Sequence, residues 1–210
     1  MTHRWGDDIP ESGRDWRRPR GIFVVAPIEG AAGERIAELQ ARYDRKLARS
    51  TVPHVTLVGS SGVGPIVPST SEAELRTALE PVAASLNPIT VRFDRPERFP
   101  QTNIVSLPLD PHGPVRVIFE AVRSSGLRFL PVRFSFSPHA TINFYPTLTR
   151  ERERELLSLR VTEPVVIDRL QLSLTDDPLP PRPLMEFVLG VGADSQGSGK
   201  RDQGRRTGDG

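Results

Sequence analysis

Short apolar runs alternate with amphipathic stretches along most of this chain. GIFVVAPI (Gly21–Ile28) is apolar and β-branched and ends in Glu and Gly, which predicts a buried strand. In Gly33–Ser50, Ile36, Leu39, Tyr43 and Leu47 fall at helical spacing with charges on the other face, which predicts a helix. VPHVTLVGS (Val52–Ser60) reads as a strand closed by Gly59. Ser69–Leu86 reads as a helix, with Ser71 three residues before Glu74 in a capping-box pattern and Pro81 expected to kink or divide it. Ile89, Val91 and Phe93 alternate with polar residues, the mark of a half-buried strand.

The order then begins again. NIVSLPLD (Asn103–Asp110) predicts a strand, and Pro111–Gly126 a helix with Val115, Ile118, Phe119 and Val122 on one face. FSPHATINFY (Phe136–Tyr145) predicts a strand, and Leu148–Leu159 a charged helix anchored by Leu156 and Leu159. PVVIDRLQLSLTDD (Pro164–Asp177) and MEFVLGV (Met185–Val191) read as a terminal antiparallel pair joined by a Pro-rich turn. The repeated order implies an α+β fold of two lobes related by a pseudo-twofold axis, with strands of the two halves facing each other.

Composition trims the chain at both ends. Residues 192–210 are Gly-rich and charged and lack the apolar area needed to offset ordering entropy, so they are expected to be disordered. Residues 1–19 are expected to form a flexible tail, which leaves 20–191 as one two-lobed domain. No stretch approaches the ~20 consecutive apolar residues of a membrane span. The start has no apolar h-region, so it is not read as a secretory signal, and a cytoplasmic monomer is expected. There are no cysteines, which excludes disulfide and thiolate chemistry. Lys and Arg total 28 against 26 Asp and Glu, and each tail (1–20, 192–210) holds a surplus of one, so residues 21–191 balance to zero. A fold that neutralises many phosphates carries a basic surplus, so long nucleic acid is disfavoured, whereas a small phosphate ligand or a nucleic-acid end is not.

Two pentads carry the candidate chemistry. PHVTL (Pro53–Leu57) and PHATI (Pro138–Ile142) hold two of the four histidines. In a strand, residues i and i+2 share a face. His54 and Thr56 then point one way and Val55 and Leu57 the other, as do His139 and Thr141 against Ala140 and Ile142. One H-x-T alone is an ordinary strand segment. Two copies, each after Pro and each at the same place in a repeated order, would bring two imidazoles and two hydroxyls to one cleft. One neutral and one protonated imidazole can act as base and acid, and Thr hydroxyls can hold non-bridging phosphate oxygens. Zinc lacks a third ligand, and no HExxH spacing occurs, so no metal and no cofactor are expected.

HVTL and HATI on a duplicated α+β scaffold resemble the 2H phosphoesterase superfamily, whose bacterial members are named for 2′-5′ RNA ligase and RNA 2′,3′-cyclic phosphodiesterase activity. The resemblance spans about Arg20 to Val191 and includes FSPHATI around the second motif. It implies antiparallel sheets lining a central cleft with helices outside. His54 and His139 would be the acid–base pair, with His139 leaning to base and His54 to acid, and Thr56 and Thr141 would hold the phosphate. The implied reaction opens a 2′,3′-cyclic phosphate, on a nucleotide or an RNA end, to a 2′-phosphate, with reversible 2′-5′ RNA ligation as a further implied activity. Many such relatives place a basic residue soon after the second motif; here Asn143 and Phe144 follow Ile142. The candidates to substitute for it are Arg133, and Phe136, Phe144 or Tyr145 as stacking surfaces. Aromatic residues in strands more often belong to a core. Arg92, Arg95 and Arg98 form a basic run that reads more simply as a solvated face than as an RNA path. His3 and His112 have no partner motif. The alternative to an enzyme is a nucleotide or RNA-end binding module on the same fold.

Overall fold

In chain order the elements are β1 (Gly21–Pro27), α1 (Gly30–Tyr43), α2 (Arg45–Ser50), β2 (His54–Val58), α3 (Glu72–Ser85), β3 (Ile89–Val91), β4 (Glu97–Arg98), β5 (Val105–Pro108), α4 (Pro114–Arg123), β6 (His139–Asn143), α5 (Arg150–Ser158), β7 (Val165–Ile167), β8 (Arg169–Thr175) and β9 (Arg182–Val188). This computed structural model describes residues 20–176 and 180–191. The tails expected at 1–19 and 192–210 lie outside the described residues, as does part of the Pro-rich turn.

The fold is α+β and duplicated. Seven strands form an antiparallel sheet in the order β4-β5-β6-β2-β1-β8-β9, and β3 pairs with β7 in a second, two-stranded sheet. The duplication shows in the register. On β1 and β2, Val25, Ala26 and Pro27 lie across from Thr56, Val55 and His54, with a bulge between Val24 and Val25. On β5 and β6, Ser106, Leu107 and Pro108 lie across from Thr141, Ala140 and His139, with a bulge between Val105 and Ser106. Ile28 N–H donates to Pro53 O, and Leu109 N–H to Pro138 O, each at 2.9 Å. The two half-sheets join where β2 meets β6, through the pair Val55–Ala140. The motif strands therefore lie side by side in one sheet rather than face to face.

The core occupies one face of that sheet. Val55, Leu57, Ala140 and Ile142 are at most 1% exposed and pack with Ile36 and Leu39 of α1, Leu75 and Leu79 of α3, Ile118 and Phe119 of α4 and Leu156 of α5. Each of the larger side chains among them, Val, Leu, Ile or Phe, contributes roughly 1.5–3 kcal/mol by leaving water. The apolar members of both pentads thus pin the motif strands, and His54, Thr56, His139 and Thr141 stay half-buried on the opposite face.

Local departures from the periodicity have identifiable causes. The stretch expected as one helix over Gly33–Ser50 breaks at Asp44, whose backbone is non-helical (φ −142°, ψ 78°). Asp44 caps α2 by accepting from Leu47 N–H at 3.0 Å and also receives two N–H groups from beyond β6. The capping box of Ser71 and Glu74 forms, and α3 continues through Pro81 without division. The half-buried strand expected through Phe93 stops at Val91, and the following residues pass into the short β4.

Candidate active site

The β2–β6 junction sets the arrangement of the two motifs. With Val55 opposite Ala140, antiparallel continuation sets His54 beside Thr141 and Thr56 beside His139. Each imidazole thus neighbours the hydroxyl of the other motif. The histidines then lie diagonally across the junction.

Both rings are held in the same way. His54 Nδ1 lies 2.8 Å from Val52 O, and His139 Nδ1 lies 2.8 Å from Ser137 O. A carbonyl only accepts, so Nδ1 carries the proton in both rings. Each Nε2 is then the titrating atom, a lone pair when the ring is neutral and an N–H donor when it is charged. These bonds to the residue two positions back arise within each motif.

The surroundings of the two rings differ. His54 Nδ1 also has Thr51 Oγ1 at 3.3 Å. His139 meets Phe99 edge-on, with ring centroids 5.0 Å apart and planes at 89°. Although part of the residue is open to solvent, the ring is packed closely by protein. Burial pushes its pKa below the ordinary 6.5, against the raising effect of its bond to Ser137 O. His139 is thereby biased toward the neutral form.

Two scaffolds fix the second motif from outside its own half. Gln40, in α1 and 3% exposed, donates through Nε2 to Thr141 O at 2.8 Å. Asp44, fully buried, accepts from Phe144 N–H and Tyr145 N–H, each at 2.8 Å. On the other side, Ser61 Oγ accepts from Ser137 N–H at 3.1 Å, and Ser137 is the residue whose carbonyl orients His139. Elements from the first half therefore hold both ends of β6.

Of the other expected contacts, Phe136 is corrected. It is 8% exposed and stacked on Phe119 (centroids 4.0 Å, 17°), so it belongs to the core and has no open face for a base. The exposed ring of that loop is Phe134. Arg133 beside it is exposed. Phe144 and Tyr145 are half-buried and meet edge to face, and Lys46 Nζ lies 4.0 Å from the Tyr145 ring centre. Asn143 is 1% exposed; its Nδ2 donates to Asn103 O and Tyr145 O and its Oδ1 accepts from Thr147, so it serves the loop and not a ligand. In the basic run, Arg98 is committed to Glu153 and Thr102 O, and Arg92 to Thr162 O. His112 begins the turn into α4, its N–H donating to Asp110. Among the described residues no group of three or more His, Asp or Glu could hold a metal ion, and no helix is long and apolar enough to cross a membrane. Phe99, Gln40, Asp44 and Ser61 were not singled out by the sequence. Each touches the second motif or a residue flanking it, some 40 to 100 positions away, and nothing in its own neighbourhood signals that contact.

Comparison with known proteins bears on the same region. The family model described as "2′-5′ RNA ligase superfamily" matches residues 28–178, and no curated protein matches at a significant level. Among solved structures, Escherichia coli LigT is similar at 15% identity, covering 82% of this chain and 99% of its own, with a TM-score of 0.53. TT0787 of Thermus thermophilus is similar at 16% identity, covering 82% and 98%, with a TM-score of 0.50. At these identities the likeness is one of fold.

Proposed function

Since the chain belongs to the 2′-5′ RNA ligase superfamily, within the wider group of 2H phosphoesterases, we propose that it opens 2′,3′-cyclic phosphates to 2′-phosphates at the paired His–Thr motifs. The observation that carries this reading is the matched anchoring of two imidazoles on adjacent strands, each with Nδ1 occupied by a carbonyl. LigT has been solved with 3′-AMP and with ATP, which fits a nucleotide or RNA end as ligand here.

In the proposed reaction His139, kept neutral by burial, accepts a proton at Nε2 from water as the water oxygen attacks phosphorus. The bond from phosphorus to the 3′ oxygen breaks, and protonated His54 gives its Nε2 proton to that leaving oxygen. Thr56 and Thr141 donate to the non-bridging oxygens, whose charge grows in the transition state. A 5′-hydroxyl in place of water would leave a 2′-5′ linkage. Arg133 and the rings of Phe134, Phe144 and Tyr145 are the candidates to hold the rest of the substrate.

The test is phosphorus NMR of 2′,3′-cyclic AMP and of a cyclic-phosphate-ended RNA incubated with the protein in EDTA. Conversion to the 2′-monophosphate, lost in His54→Ala and in His139→Ala, is the expected result. No conversion by the wild type, or undiminished conversion by either variant, rejects the proposal. A binding module is the second reading, favoured by the zero net charge of residues 21–191 and by Arg92 and Arg98 being tied to the fold. Tight binding of adenosine 2′-monophosphate without turnover would select it.

A further inference from the structure

Val25 and Ser106 occupy the same place in the two half-sheets. Val25 lies across from Thr56, and Ser106 across from Thr141. Each directly precedes a residue that faces the core, Ala26 or Leu107, so each side chain lies on the same face of the sheet as the motif His and Thr. Ser106 is 0% exposed, and among the described residues its Oγ has no hydrogen-bond partner. A buried hydroxyl without a partner lowers stability, and an apolar side chain carries no such cost. Packing alone therefore favours at position 106 the kind of residue found at position 25. The hydroxyl is unused by the fold, and its directly opposed neighbour is a motif threonine.

We propose that Ser106 is a positioning residue for Thr141; this rests on the reading that Thr141 holds a phosphate. Thr141 has one hydroxyl proton and two lone pairs. Once that proton is turned onto a phosphate oxygen, Oγ1 is left as an acceptor, and Ser106, directly across the ladder with an unpartnered hydroxyl, can turn that hydroxyl to donate to it. Ser–Thr pairs at opposed strand positions form such bonds. A donor behind Thr141 polarises its hydroxyl toward the phosphate. Thr56, opposite Val25, has no such donor from β1, so the two threonines grip unequally.

The experiment is calorimetric titration of adenosine 2′-monophosphate into wild type, Ser106→Ala, Thr141→Val and the double variant. Thermal melting and cyclic-phosphate kinetics are measured on all four. Ser106→Ala should melt no lower than wild type and bind about five-fold more weakly, the scale of one neutral hydrogen bond. It should raise KM, and it should add nothing in the Thr141→Val background. A lower melting temperature with unchanged affinity would make Ser106 purely structural. An equal loss in both backgrounds would show that it does not act through Thr141. If wild type binds the nucleotide and Ser106→Ala binds it equally well, only this proposal falls. If wild type neither binds nor turns over, the phosphoesterase reading falls with it.

Discussion

In the β1–β2 half, His54 sits beside Thr51 Oγ1, and Thr56 faces Val25. In the β5–β6 half, His139 sits against the edge of Phe99, and Thr141 faces Ser106 and takes a bond on its carbonyl from Gln40. The strand register, the bulge, the Pro across from His and the Nδ1 anchor are the same in both. Duplication thus reproduces the backbone and the aim of each imidazole, while residues distant in the chain give the second motif contacts of its own. In the proposed reaction one imidazole gives a proton and the other takes one, so the two rings are assigned different tasks.

The sharpest way to break the comparison is to remove each ring in turn. His139→Ala and His54→Ala should each cut turnover by about 10²–10⁴-fold. Their residual pH–rate profiles should differ. Loss of the base removes the acidic limb, and loss of the acid removes the alkaline limb. Matching profiles would mean that the halves are interchangeable.

Asp44 comes next, since this fully buried carboxylate holds the two residues after β6 as well as capping α2. Asp44→Ala leaves the N–H groups of Leu47, Phe144 and Tyr145 without their acceptor and should cost about 3 kcal/mol in urea unfolding. Turnover of the surviving folded protein should fall as well. A stability loss with unchanged turnover would show that β6 holds its place without Asp44.

The threonines should separate by a smaller margin. Thr141→Val and Thr56→Val should each lower kcat/KM by about ten-fold, the worth of a charge-assisted hydrogen bond, with Thr141→Val the larger. Equal effects would place no weight on Ser106 or Gln40.

Smallest is the linkage of His139 to stability. Its folded pKa lies below 6.5, so the unfolded chain binds its proton more readily. Stability should be unaffected by this group above about pH 6.5 and fall as pH drops through that value. The slope contributed by one site is at most about 1.4 kcal/mol per pH unit. Denaturant midpoints from pH 7.5 to 5.5, in wild type and in His139→Asn, should show the dependence weakened in the variant. An unchanged slope would mean that His139 is not desolvated.

Much of this could be read from the residues in order. The pentads, their alternation and the repeated element order specify which side chains share a face, because a strand has period two and burial sorts its faces. The Ser71–Glu74 cap and the amphipathic faces of α1, α3 and α4 follow from local spacing, and so does the duplicated α+β architecture. Tertiary structure decided the rest. It split the first predicted helix at Asp44, whose carboxylate accepts from three backbone N–H groups, two of them 100 and 101 positions away. It moved Phe136 from ligand candidate to core by stacking it on Phe119. It joined the half-sheets at Val55 and Ala140, so that each histidine neighbours the other motif's threonine. It also set Phe99 edge-on against the His139 imidazole. Local sequence carries the period of a strand and the identity of its side chains; the environment of an ionisable group is a sum over atoms distant in the chain, and only the folded structure brings those atoms together.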